Sequence, residues 1–258
     1  MAWVPMVERA VWLGTMIACG VLLWQFARTR LWRNYPAFSL FVVVEVSRDI
    51  LLWVLAPHPN AYGQAFVITG PMRWTCDAIV LRELYLLVLR NYPGMARVSR
   101  IVLLAFLILV LVAAVLIAFT AFGGEATNFP ILHHYRTVEL GVTISMTVML
   151  AVILSLFVWF PIEVSQNIKA YFTGYAFYFY AKAAALLIVT RHGGIVDQIA
   201  SIFINLVFFL TTWYWALRLN RAGEQIIRVS SFRRTPEEEA QLHAQLERIN
   251  DLLSELKP

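Results

Sequence analysis

Ionisable side chains interrupt two neighbouring apolar stretches of this chain, each long enough to cross a bilayer. A charge at bilayer depth costs several kcal/mol unless it faces a protein interior, a partner or water. Carboxylates and guanidinium groups in such a place can take up ligands, carry protons or pair with one another. We therefore expect the two stretches to contain the functional site of the protein. The side chains concerned are Glu45, Arg48 and Asp49 in the first stretch, and Arg73, Asp77, Arg82 and Glu83 in the second.

The spacing of these residues predicts contacts within and between helices. Glu45 and Asp49 are four residues apart, so they share one face of a helix. Arg73 and Asp77 have the same spacing, at which opposite charges on a helix meet. Because a helix rises by about 1.5 Å per residue, counting from the helix ends matches residues by depth. The layers predicted from the inner to the outer side are Glu45, Arg82 and Glu83, then Arg48, Asp49 and Asp77, then Arg73, Glu139 and Lys182.

The predicted cluster is nearly neutral, with five acids against four bases. Burial requires such pairing, so a structural network of ion pairs that locks the helices together is one interpretation. A polar cavity or a proton path through the bundle is the other. A single acid near the midplane that lacks a partner, Asp49 or Asp77, would be the natural group to titrate. Asn205, near mid-depth in the last apolar stretch, is predicted to form hydrogen bonds across helices.

The composition is that of a membrane protein. Apolar residues make up 60% of the 258 residues, charged residues make up 14%, and the mean hydropathy is +0.68. Soluble domains have roughly 45–50% apolar and about 25% charged residues. The net charge of +5 does not indicate nucleic-acid binding, because the basic residues lie in short segments between apolar runs. The lipid bilayer is therefore the first expected partner.

Seven apolar runs reach the length that a helix needs to span a bilayer, which predicts an all-α bundle of seven transmembrane helices. Lys and Arg concentrate in alternate connections, so the N-terminus is predicted outside and the C-terminus in the cytoplasm. The expected location is the cytoplasmic (inner) membrane of a bacterial-type cell. The predicted spans are 7–27, 37–56, 65–89, 101–122, 131–160, 169–190 and 196–218.

The chain divides into a transmembrane domain, 1–222, and a cytoplasmic tail, 223–258. Thr235 and Pro236 form a helix start, and Glu238 completes a capping box, so a helix is expected over 236–256. Its apolar residues follow heptad spacing, which favours self-association or binding of a partner protein. Docking of this helix on the bundle or on the membrane is the alternative. The residues of the apolar stripe are Leu242, Leu246, Ile249, Leu252, Leu253 and Leu256.

Histidines form a second pattern, since four of them fall in the predicted outer connections. An outer metal or pH-sensing site is conceivable because imidazole titrates in the physiological range. Their spacing is not that of a known metal centre, so we expect no metal and no other cofactor. The weak candidates are His58, His133, His134 and His192.

No catalytic motif is found in the sequence, so the protein is not expected to be an enzyme. Intramembrane hydrolysis by the buried carboxylates is the remaining enzymatic alternative. The leading hypothesis is a sensor or signal-transducing module that passes a helix shift to the cytoplasmic helix. The first alternative is a proton or ion channel, or a transporter of small solutes. The second alternative is an accessory or scaffolding subunit of a larger membrane complex.

Overall fold

A computed structural model of the chain describes a bundle of long helices. The described residues are 4–90, 130–159, 163–192, 195–224 and 226–228, with 240–241, 244–245, 247–248 and 251–252 in the tail. The long helices of these ranges are α1 (Val4–Thr29), α2 (Pro36–Leu55), α3 (Pro59–Val88), α4 (Pro130–Trp159), α5 (Gln166–His192) and α6 (Ile195–Arg218).

Six of the seven predicted spans correspond to these helices. The largest boundary difference is at α3, which begins at Pro59 rather than 65 and continues through Pro71. The predicted span 101–122 lies outside the described residues, so the count of seven and the orientation stay predictions.

Four of the described helices, α1, α4, α5 and α6, are long and apolar enough to cross a membrane. The chain is therefore an all-helical, membrane-embedded, multi-pass protein. The helices α2 and α3, of 20 and 30 residues, are also long enough to span a bilayer but carry buried charges.

The described helices form a closed ring. Each helix packs against the next one along the chain, and α6 closes the ring by packing against α1. The helix α5 also contacts α3 across the ring. This arrangement brings α2, α3, α4 and α5 around one polar interior, as the sequence predicted for the charged residues.

One end of the bundle carries a small antiparallel sheet, and we call it the sheet end. The strands β1 (Glu163–Ser165) and β2 (Ile226–Arg228) pair there with Val164 opposite Ile227. The turn between α1 and α2 lies at the same end, where Arg30 has a left-handed backbone with φ of 59°. The first residues of the predicted tail are therefore attached to the bundle.

Aromatic rings fill the core between the polar interior and the sheet end. The Phe38 ring lies 4.5 Å from the Tyr171 ring and 4.8 Å from the Trp215 ring, measured between centroids. Tyr175 lies 5.1 Å from Trp215, and all four of these side chains are fully buried. Gly174 allows α5 to approach α6 here, because a Cβ at this position would lie 2.6 Å from Cε2 of Trp215.

We expect Gly174→Ala to lower the free energy of unfolding by about 1–3 kcal/mol, because the added methyl group overpacks the Trp215 contact. The matched control is Gly20→Ala on α1, where a Cβ would meet no atom within 4 Å. That change should leave stability unchanged or raise it by up to about 1 kcal/mol through helix propensity. Unfolding in mixed detergent micelles, followed by tryptophan fluorescence, measures both variants. Equal effects of the two substitutions would contradict the close approach of α5 and α6.

Candidate functional site

The buried ion pair between α2 and α3 is the centre of the polar interior. Arg73 Nε lies 2.7 Å from Glu45 Oε1, and the Glu45 side chain is only 2% exposed. The Arg73 guanidinium also donates to the Tyr178 hydroxyl of α5 over 2.9 Å and lies 5.4 Å from the Phe208 ring of α6. One arginine therefore connects four helices. Sequence depth matching placed Glu45 and Arg73 in different layers, whereas the structure pairs them.

A second ion pair joins α4 to α5. Lys182 Nζ lies 2.8 Å from Glu139 Oε1, and the two side chains are 3% and 16% exposed. The Lys182 ammonium group also lies 6.0 Å from the centre of the Tyr178 ring. Tyr178 therefore touches both ion pairs, so the two form one cluster. The sequence placed Glu139 and Lys182 at matching depth, and the structure brings them together.

Arg48 and Asp49 occupy the part of the interior next to the ion pairs. Both residues are buried. Arg48 Nε donates to Thr69 Oγ1 over 3.1 Å, and the guanidinium group lies 5.1 Å from the Phe66 ring. Asp49 is within hydrogen-bonding reach of the Trp12 indole. Each of these two charges is thus held by polar or aromatic groups of a neighbouring helix.

Asp77 differs from the other buried acids. The residue is 3% exposed, and its Oδ1 has no hydrogen-bond partner among the residues that the structure describes. Arg73 and Lys182 are near enough to interact with it electrostatically, but both make their close contacts to other acids. A buried carboxylate oxygen without a hydrogen bond is costly, because it loses hydration without regaining a partner. Of the two midplane acids that the sequence proposed, Asp49 and Asp77, it is Asp77 that has an oxygen without a hydrogen-bond partner among the described residues.

The cluster that the structure assembles carries one more acid than bases. Its members are the acids Glu45, Asp49, Asp77 and Glu139 and the bases Arg48, Arg73 and Lys182. Full ionisation would leave one net negative charge in a low-dielectric interior, where an uncompensated charge is strongly unfavourable. A bound proton on one carboxyl group removes this imbalance. The arrangement can therefore store and release a proton.

Three residues predicted for the polar core lie elsewhere. Arg82 and Asn205 are exposed in the structure, so neither belongs to the cluster. Glu83 lies nearer the sheet end, where its Oε2 accepts a hydrogen bond of 2.9 Å from the backbone amide of Phe38. A carboxylate at the start of α2 complements the helix dipole and satisfies an amide that has no partner within the helix. Depth counting gives the height of a residue along its helix but not the direction of its side chain.

Most of the side chains on which the histidine and tail predictions depend are not described by the structure. His58 is exposed before α3, and the described residues contain no group of three or more ligands able to hold a metal ion. His133, His134 and His192 lie within helix ends rather than in connections. Of the apolar tail stripe, Leu252 is described and is 57% exposed. Leu242, Leu246, Ile249, Leu253 and Leu256 lie outside the described residues, so self-association of the tail stays a prediction.

A polar network at the sheet end was not predicted from the sequence. Asn167, which is 0% exposed, donates to the Asn220 carbonyl over 2.8 Å and to Glu224 Oε1 over 2.5 Å. The Tyr35 hydroxyl donates to the same Glu224 oxygen over 2.8 Å, and burial raises the pKa of Tyr35 well above its usual range. We call these four residues the sheet-end network. Asparagine and glutamate beside connections look like ordinary loop residues in a sequence, so no pattern indicated their contacts.

The network attaches the chain that follows α6 to three other elements. Asn167 lies in the first turn of α5 and Tyr35 precedes α2, and beside the network Gln25 of α1 donates to the Leu219 carbonyl over 2.6 Å. Comparison of the chain with protein-family models, with curated proteins and with solved structures found no match. The arrangement of its own side chains is therefore the basis for a functional proposal.

Proposed function

We propose that this membrane protein is a sensor or signal-transducing module in which Asp77 takes up and releases a proton within the helix bundle. The observation that carries the proposal is the buried Asp77 carboxyl group, whose Oδ1 has no hydrogen-bond partner in the described part of the chain. It lies in a cluster with one acid in excess. Protonation of Asp77 neutralises that excess and supplies an O–H donor. The two forms differ in charge and hydrogen bonding, so they favour different side-chain arrangements around α3.

The helix α5 supports transmission of such a change toward the tail. It carries Lys182 and Tyr178 in the charged cluster and Asn167 in the sheet-end network. Asn167 in turn holds Asn220 and Glu224, the residues from which the tail continues. A shift of α5 therefore acts directly on the root of the tail. This connection favours a transducer, in which a helix movement is the output.

A proton or ion channel is the second candidate. The side chains of Arg73 and Glu139 remain 15% and 16% exposed, so the ion pairs beside Asp77 are not fully enclosed by the described helices. This partial exposure favours access to Asp77 from outside the bundle. Proton flux into liposomes containing the purified protein separates the two candidates. A transducer gives no flux above that of empty liposomes, whereas a channel gives a flux that Asp77→Asn abolishes.

The direct test of the proposal is infrared difference spectroscopy of the full chain in lipid bilayers. We expect a carbonyl-stretch band of a protonated carboxyl group to appear on acidification. The band should be absent from Asp77→Asn, because asparagine keeps the shape of the side chain but has no carboxyl group to protonate. Asp197→Asn is the matched control, since it changes an ion-paired acid outside the cluster and should retain the band. A wild-type protein without the band, or a band that survives in Asp77→Asn, would contradict the proposal.

A further inference from the structure

Four buried polar atoms of α3 and α5 lie in the part of the bundle that includes the charged cluster and extends toward the sheet end. They belong to Asp77 and Glu83 of α3 and to Tyr175 and Tyr171 of α5. Asp77 Oδ1, Glu83 Oε1 and the hydroxyl oxygens of both tyrosines have no hydrogen-bond partner among the described residues. Buried polar atoms are nearly always paired in native proteins. Four such oxygens without a hydrogen-bond partner in one region of the bundle therefore need a physical explanation.

The tyrosines link the two acids. Tyr175 and Tyr171 are both 0% exposed, and their rings lie 5.6 Å apart between centroids. The Tyr175 hydroxyl interacts electrostatically with Asp77 and Tyr171, and the Tyr171 hydroxyl interacts with Glu83. Asp77 and Glu83 are six residues apart on α3, which corresponds to about 9 Å along the helix. Tyr175 thus lies near the midplane acid, and Tyr171 near the acid closer to the sheet end.

Glu83 connects this series to the solvent side of the bundle. Its side chain is only partly buried, and its second oxygen accepts from the start of α2. The Tyr171 ring also lies 5.9 Å from the Tyr35 ring, and the Tyr35 hydroxyl reaches Glu224 in the sheet-end network. The series therefore ends at acids on the side from which the tail leaves.

We propose that Asp77 exchanges its proton with the sheet end through a relay of Tyr175, Tyr171 and Glu83. This inference rests on the proposed function and adds the route and the side of exchange. A hydroxyl group is both donor and acceptor, so it can accept a proton on its oxygen while releasing its own. Bound water, which proteins hold at otherwise unpaired buried polar groups, completes the contacts between successive oxygens.

The transfer is balanced at every step. An O–H bond forms at the receiving oxygen as the O–H bond of the donor breaks, and no electrons are exchanged. One proton leaves Glu83 and one arrives at Asp77, while both tyrosines end as neutral hydroxyl groups. Glu83 then takes a proton from water at the sheet end. The pH on that side is the driving force.

The neighbouring groups of Asp77 and Glu83 determine the environments at the two ends of the relay. Asp77 faces Arg73 and Cys76 on its own helix, Glu45 on α2, Glu139 on α4, and Lys182 on α5. Glu83 faces the amide groups of Phe38 and Ala37 on α2 and the Tyr171 hydroxyl on α5. Asp77 thus has two nearby cations among its neighbours, whereas Glu83 has a helix N-terminus. Each environment can hold a carboxylate, which is what a reversible relay between them requires.

The test follows the Asp77 infrared band after transfer of the full chain in bilayers from H2O to D2O. Tyr171→Phe and Tyr175→Phe remove only the hydroxyl oxygen and keep the packed ring. Each should slow deuterium exchange at Asp77 by roughly tenfold or more, as expected when a proton-transfer group is lost. The matched control is Tyr180→Phe on the same helix, where the side chain is 38% exposed and exchange should match the wild type. Two variants are used so that a folding defect in one does not decide the result.

The side of exchange is tested in liposomes of known protein orientation, assigned by protease access to the tail. Acidifying the compartment that contacts the sheet end should produce the Asp77 band, and acidifying the opposite compartment alone should not. Wild-type exchange in both phenylalanine variants, or a band that follows only the opposite compartment, overturns the relay while the proposed function stands. A wild-type protein that has no Asp77 band overturns both.

Discussion

Arg73→Ala is expected to lower the free energy of unfolding by about 3–5 kcal/mol, the cost of leaving a buried charge without its partner. Glu45 is the group left behind, since its side chain is 2% exposed and its ion pair with Arg73 measures 2.7 Å. The substitution also removes the hydrogen bond to Tyr178. Equilibrium unfolding in mixed micelles with a denaturing detergent measures the change.

Two further variants identify the cause of that loss. Arg82→Ala removes an exposed arginine from the same helix and should alter stability by no more than about 0.5 kcal/mol. Adding Glu45→Gln to Arg73→Ala removes the stranded charge, so the double variant should be more stable than Arg73→Ala alone. If Glu45→Gln gives no recovery, the loss comes from packing around the arginine rather than from the unpaired carboxylate.

Asn167→Ala is expected to cost about 2–4 kcal/mol, because hydrogen bonds to a charged group and to a backbone carbonyl are lost together. The residue is fully buried and bonds both Glu224 and Asn220. Its loss should also release the root of the tail from the bundle. Unfolding measurements report the first effect, and the rate at which a protease removes the tail reports the second.

The control for this second prediction is Asn34→Ala. Asn34 is exposed and donates to the other oxygen of Glu224 over 3.3 Å. Its removal should change stability by no more than about 0.5 kcal/mol and leave proteolysis at the wild-type rate. Loss of stability in Asn167→Ala without faster cleavage of the tail would show that the network supports the core but does not hold the tail.

The sequence predicted the elements of this fold well, for a clear physical reason. An apolar run of about 20 residues has few alternatives to a helix in a bilayer, because the backbone must satisfy its own hydrogen bonds there. The observed helix starts at Pro36 and Pro130 lie within one residue of the predicted ones, and proline suits a first helical position because of its fixed φ and missing amide. The early start of α3 was missed, since residues 59–64 are not apolar enough to extend a hydropathy run.

The candidate site was predicted in part. Charge and depth along the helices selected Glu45, Arg73, Asp77, Glu139 and Lys182, and the structure places these side chains together. The sequence also suggested Arg82 and Asn205, which are exposed. Whether a side chain faces the cluster or the exterior depends on the rotation of its helix about the helix axis. A helix that carries apolar residues on all its faces gives little indication of that rotation.

By itself the sequence determined that the chain is a helical, membrane-embedded protein whose buried charges need partners. Composition and the length of apolar runs are local properties, so they can be read directly from the sequence. Only the tertiary structure decided which charges meet. Arg73 pairs with Glu45 and Lys182 with Glu139, whereas Asp77 Oδ1 has no hydrogen-bond partner among the described residues. Pairing depends on distances of a few ångströms between residues far apart in the chain, which helix packing sets. The same packing placed Tyr175 near Asp77 and Tyr171 near Glu83, a relation that neither spacing nor composition indicated.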